Sequence, residues 1–305
     1  MMGNEFVPLS LPPLLIGCLA ALACALPGNF LLLRRQALIG DAISHVVLPG
    51  IVVGFLVTGT SSTWPMMLGA AAAAVVAVAL IQLVHRVGRI EPGAAMGVVF
   101  TTLFAAGVLL LEQSDTSNVH LDVEHALYGN LESLIWLDAT GWSSLLDPAA
   151  LVWLPPELTR MAVVLVLVML FIGLLWRPLA ISTFDEGFAR TLGIRVGPLG
   201  LALVIVSAIA AVAAFDAVGS IIVIAMFICP PAAARMMTDR LLVQVGWSAL
   251  FAVASAIIGY VLAGYGPLWL GYSDSVSAAG MIATVSGLIL AVAAMFGPVR
   301  KGRAA

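Results

Sequence analysis

Charge is what this 305-residue chain has least of: only 10% of its residues are Asp, Glu, Lys or Arg, and the net charge is −3. That balance leaves no basic footprint for nucleic acid. Lysine occurs once, at Lys301, and is followed by Gly302. A G-x-x-x-x-G-K-S/T phosphate loop is therefore impossible, and the chain hydrolyses no ATP through one. Uphill work would have to come from a partner ATPase or from an ion gradient. Cysteine is also scarce. Cys18, Cys24 and Cys229 all sit in apolar stretches with neither metal-finger spacing nor a disulfide framework, so they read as packing residues. No Lys or Arg precedes Arg34, so the basic region of a signal peptide is missing and the first apolar stretch is expected to stay as a span.

What the chain has instead is apolar sequence, 62% of it, with a mean hydropathy of +1.13. This is far from globular composition, and the length divides naturally into membrane spans of about 20 residues. The 29 glycines suit close helix approach in lipid. Apolar runs fall near 12–33, 38–58, 65–84, 93–111, 160–176, 198–214, 217–234, 243–263 and 277–296. The expectation is an all-α polytopic membrane protein of about nine transmembrane helices (8–9), with residues 1–305 forming a single transmembrane domain. The sixth run is short and is expected to be tilted or broken.

The arginines orient these spans. With the N-terminus out and the C-terminus in, Arg34/Arg35, Arg86/Arg89, Arg177/Arg190/Arg195, Arg235/Arg240 and Arg300/Lys301/Arg303 all lie in the cytoplasm. Only Arg160 falls outside, as the positive-inside rule favours. The outer region 112–159 holds eight acids and no Lys or Arg. Such a loop concentrates cations, or is simply solvated, with Trp136, Trp142 and Trp153 as interfacial aromatics.

Asp41 and His45 stand inside the second run. Four apart on a helix, they share one face, about 5–6 Å apart at Cβ, and an oxygen and a nitrogen at that spacing can hold one divalent cation. Ionisable groups within a span are costly and mark functional sites. The alternative is structural, with Asp41 capping the helix or pairing with Arg34 or Arg35. Pro49-Gly50 is expected to loosen the helix beside a cavity. Two ligands are too few for a divalent ion, so water or a second subunit would supply the rest. Asp/His ligation without thiolate suits manganese, ferrous iron or zinc. Asp216, at the outer turn after the sixth run, is a weaker ligand candidate. His120, Asp122, Glu124 and His125 have ligand chemistry without a diagnostic spacing, and His85 reads as interfacial.

In the cytoplasmic loop 177–197, Thr183-Phe184-Asp185-Glu186 matches an S/T-x-x-E capping box, and Gly193 can end the helix it starts. Phe184, Phe188 and Leu192 recur every four residues as an apolar stripe. That stripe fits a helix lying on the bilayer or a knob docking into a soluble partner.

The stretch Leu33–Gly50 resembles the signature of permease subunits of bacterial manganese/zinc/iron ABC importers, with Gln36 where that pattern has methionine. Val119–Asn130, Thr183–Ile194 and Ala214–Arg240 agree, and the similarity runs from about 12 to 298. The resemblance implies a type II (vitamin B12-like) importer architecture in the bacterial plasma (inner) membrane. It also implies a permease dimer, homodimeric or heterodimeric, with cytoplasmic ATPase subunits and an extracytoplasmic metal-binding protein. By the same resemblance Asp41 and His45 match intramembrane metal ligands, and Thr183 to Gly193 match the helix that couples to the ATPase. The Ala214–Arg240 stretch looks most like the manganese/iron branch. The chain is then not an enzyme and carries no permanently bound cofactor; the metal (Mn2+, Fe2+ or Zn2+) is cargo. The rival reading is a proton- or sodium-coupled secondary metal transporter with Asp41 as proton carrier.

Overall fold

The computed structural model describes residues 2–36, 39–59, 63–113, 131–139, 141–147, 150, 152–269, 271 and 276–298. Long uninterrupted apolar runs leave the backbone no partner in lipid except itself, so each run closes into a helix. The described residues form α1 (Met2–Leu9), α2 (Leu11–Leu33), α3 (Ile39–Thr58), α4 (Thr63–Gly88), α5 (Pro92–Gln113) and α6 (Pro156–Leu174). They continue with α7 (Trp176–Phe184), α8 (Glu186–Thr191), α9 (Val196–Val218), α10 (Ser220–Met237), α11 (Leu241–Trp269) and α12 (Ala278–Phe296). No strand occurs among these residues. Eight helical segments among them are long and apolar enough to cross a bilayer, the first being α1 and α2 taken together as Phe6–Leu33. Helix α3 is apolar apart from Asp41, Ser44 and His45 in its first half and Thr58 at its end.

The sixth run is neither short nor broken: α9 spans 23 residues and is the most buried span. Asp216 made the run look as if it ended near Ala214. Its carboxylate is taken up by the guanidinium of Arg160 on α6, so the helix continues past it to Val218. Gly219 then turns the chain at φ +80, a conformation that suits glycine.

Two helical groups flank a central pair. On one side α3 packs on α4 and α5; on the other α10, α11 and α12 pack on one another. Between them run α2, against α6, α9, α10 and α11, and α9, against α2, α6, α3 and α4. Small residues set these distances, as expected where lipid supplies no hydrophobic drive between helices. A Cβ on Gly50 would stand 2.6 Å from Ala70 Cα, and one on Gly28 would stand 2.5 Å from the Phe227 carbonyl oxygen. Asn29 and Gln244 join α2 to α11 within the fully buried interior. The Gln244 amide donates to Asn29 Oδ1 at 3.1 Å, and Asn29 donates back to its own helix at Ala25 O.

Trp136 is not an interfacial aromatic. It is 1% exposed, packed with Val7, Ala139 and Ala150, and its indole N–H donates to Ala150 O at 3.0 Å. Its backbone N–H donates to Pro8 O, which ties the region after α5 onto α1. Trp142 and Trp153 are exposed, as interfacial aromatics would be.

Candidate functional site

Helix α2 ends in a compact reversal. The Gln36 N–H donates to Leu31 O and the Arg35 N–H to Leu32 O, the paired bonds of a Schellman end. The left-handed position is held by Arg35, at φ +60, where glycine is usual. Holding a non-glycine residue there costs about 1–2 kcal/mol. Ile39 N–H donates to Gln36 O, so α3 begins at once. Asp41 and His45 therefore lie about 3 and 9 Å of helix rise into α3, on consecutive turns. Their side chains lie outside the described part of the structure. Among the described residues, no three His, Cys, Asp or Glu come together as a metal-binding group.

Pro49 does not break α3, which runs unbroken from Ile39 to Thr58. The Pro49-Gly50 step is used for close packing instead: Pro49 fills the space beside Gly107 of α5, and Gly50 lies against α4. An open groove of about 650 Å3 does lie beside it, between α3, α4 and α5. Among the described residues its walls are almost wholly apolar, with Val46, Val53 and Leu103 among them.

A second cavity, of about 850 Å3, is polar. It lies where α2, α4 and α7 end and α8 and α9 begin, with Gln36, Gln82, His85 and Glu186 on its wall. Gln36 on its lip is five residues before Asp41. His85 is exposed there, with Nδ1 at 2.7 Å from Ile90 O, so that nitrogen carries the proton.

Arg34 crosses the edge of this cavity. Its Nε donates to Thr183 Oγ1 at 3.0 Å and a terminal nitrogen donates to Ser182 Oγ at 2.8 Å. Burial lowers the pKa of Arg34, and the charge of Glu186 partly offsets this. These bonds alter the capping assignment. Thr183 lies inside α7 and its hydroxyl is engaged by Arg34, so it caps nothing. The cap of α8 is Asp185, whose carboxylate accepts the Phe188 N–H at 2.8 Å. Glu186 is the first residue of α8 and pairs with Arg190 at 3.2 Å on the exposed surface. Gly193, at φ +78, does end the helix: its N–H donates to Arg190 O, and Ile194 N–H to Ala189 O. Phe184, Phe188 and Leu192 are each more than half exposed, although Phe184 belongs to α7 rather than to α8.

Asp216, the weaker ligand candidate, lies in the last turn of α9 rather than in a turn after it, bonded to Arg160. His120, Asp122, Glu124 and His125 lie outside the described residues. Sequence reasoning missed the Arg34 bonds, which join positions 148 and 149 residues apart. No local pattern signals a contact of that separation. It also missed the Asn29–Gln244 pair, for which a lone amide within an apolar run was the available cue.

The model of the ABC 3 transport family matches residues 8–139 and 149–297. The manganese transport system membrane protein MntD of Bacillus subtilis is 41% identical over 92% of this chain and 90% of its own length. The zinc transport system membrane protein TroD of Treponema pallidum is 35% identical over 93% of this chain and 73% of its own length. Among solved structures, the fold resembles PsaBC from Streptococcus pneumoniae in complex with Fab. The TM-score there is 0.73 at 24% identity, covering 95% of this chain and 92% of that one. It also resembles an inward-facing metal-chelate type ABC transporter, with a TM-score of 0.66 at 16% identity, covering 95% of this chain and 88% of that one.

Proposed function

The chain belongs to the ABC 3 transport family, and from that membership we propose that it is the permease subunit of an ABC importer for a divalent transition metal. It is a multi-pass membrane protein, placed in the bacterial plasma membrane with its N-terminus outside and the 177–197 loop in the cytoplasm. Mn2+ is the first cargo to consider, because the 41%-identical relative is a manganese transport protein; Zn2+ is next, from the 35%-identical one, and Fe2+ fits the same ligand chemistry.

The observation that carries the reading is the placement of Asp41 and His45 on consecutive turns at the start of α3, five residues and more beyond the lip of a polar cavity. A carboxylate and a neutral imidazole there take the cation in transit, with water or a second permease subunit, identical or not, completing the shell. The exposed Phe188 and Leu192 on and beside α8 dock into a cytoplasmic ATPase subunit, which supplies the ATP hydrolysis. An extracytoplasmic metal-binding protein delivers the ion to the acidic outer region.

The test is uptake in proteoliposomes holding the permease with the ATPase and binding protein encoded beside it. Mn2+ uptake that needs internal or external ATP on the ATPase side and stops with vanadate supports the importer. Uptake driven by a proton or sodium gradient without ATP identifies a secondary transporter instead.

A further inference from the structure

The end of α2 is held to α7 by more than adjacency. Arg34 makes two side-chain hydrogen bonds, to Ser182 and Thr183, and Ser182 is itself buried and bonded back to Pro178 O at 2.7 Å. Gly200 on α9 keeps the space beside the guanidinium open, since a Cβ there would stand 3.3 Å from it. One turn earlier on α2, buried Phe30 meets Trp176 of α7 edge to face at 5.9 Å. On one side of this joint, two residues beyond Thr183, Asp185 caps α8. On the other side, the tight reversal through Arg35 and Gln36 leads directly into α3. A planar fork that engages two hydroxyls fixes direction as well as distance, which a single flexible bond does not.

We propose that Arg34 is the positioning residue that passes movement of the α7–α8 loop to the α2–α3 reversal, and so to the start of the helix bearing Asp41 and His45. This rests on the reading of the chain as an ATP-driven importer. A displacement of α8 by its ATPase partner pulls on Ser182 and Thr183, and through Arg34 on the end of α2. With the joint cut, the ATPase still binds and still turns over, but its movement no longer reaches α3. The loss is therefore in the yield of transport per ATP, not in assembly or metal affinity.

The experiment uses the full complex in proteoliposomes, with Mn2+ as probe. It reads Mn2+ moved per ATP hydrolysed, ATPase subunit retained on purification, and Mn2+ held by the complex at equilibrium. Arg34→Gln is expected to lower Mn2+ per ATP at least fivefold with the other two readouts unchanged. Arg34→Lys, which keeps charge but not the fork, should fall between. Ser182→Ala with Thr183→Val should match Arg34→Gln, and the triple variant should be no worse than Arg34→Gln alone. If Arg34→Gln does not insert, the Ser182/Thr183 double variant carries the test with Arg34 in place. A wild-type ratio in whichever variant assembles overturns the proposal, as does a triple variant whose loss is the product of the other two. A wild-type complex that moves Mn2+ without ATP turnover overturns the importer reading as well; a coupled wild type with an unaffected variant overturns this inference alone.

Discussion

At the scale of single residues, Asp41 and His45 carry the sharpest expectation. Asp41→Asn keeps the size and a capping oxygen but removes the charge, whereas His45→Ala removes the nitrogen and involves no cap. Both variants should insert and assemble, yet lose Mn2+ uptake at least 10-fold, since even outer-shell changes cost metal sites about 10–100-fold. Less metal should also stay on the purified complex. Because ligand imidazole must be neutral and carboxylate ionised, uptake should fall as the medium is acidified. Near wild-type transport by both variants across metal concentrations would make the pair structural. Asp216 is expected to behave differently, its carboxylate being committed to Arg160. Asp216→Asn should leave equilibrium Mn2+ retention intact, and its thermal stability should drop by less than about 1 kcal/mol, as partly exposed pairs usually do. What the sequence disclosed at this scale was which residue types were out of place in an apolar run. Which groups answer them was hidden, because Arg160 lies 56 positions from Asp216 and Thr183 lies 149 from Arg34.

At the scale of elements, α8 is a six-residue helix with no length to stabilise itself, so its ends decide whether it forms. Asp185→Ala removes the carboxylate that accepts the Phe188 N–H and should cost about 1 kcal/mol locally. Phe188→Ala leaves the cap but removes the exposed ring. Both should weaken pull-down of the ATPase subunit and lower ATP-driven uptake, while the permease still inserts. Unchanged association and uptake would mean that the helix lies on the bilayer surface instead. The spans themselves were legible, since a run of apolar residues in lipid has one backbone solution. The errors came where a polar residue was read by its neighbours in sequence. Asp216 seemed to end a helix that Arg160 lets continue, and Thr183 seemed to cap a helix that Asp185 caps. Trp136, read as a belt residue, is sealed under α1 by Val7 and Ala150.

At the scale of the whole molecule, the topology is open to chemical mapping. A cysteine at exposed Val152 should react with an impermeant reagent on intact cells, and one at exposed Leu192 only after the cells are opened. The reverse pattern would invert the map. Neutralising Asp122 and Glu124 together should slow uptake most at low ionic strength, because exposed charge acts on encounter and is screened by salt. An equal effect at high salt would point to direct ligation.

The glycine contacts of α3 also limit how the molecule can move. Gly50 and Gly54 lie against α4, and the ring of Pro49 lies against Gly107 of α5. Backbones in such contact can neither tilt apart without opening voids nor rotate without collision. Contacts this close favour movement of α3, α4 and α5 together, as one slab. On the proposed reading, an ion carried on α3 would change the side it faces as that slab slides or rocks against α2 and α9, which would make the stroke a displacement between blocks rather than the flexing of a single helix.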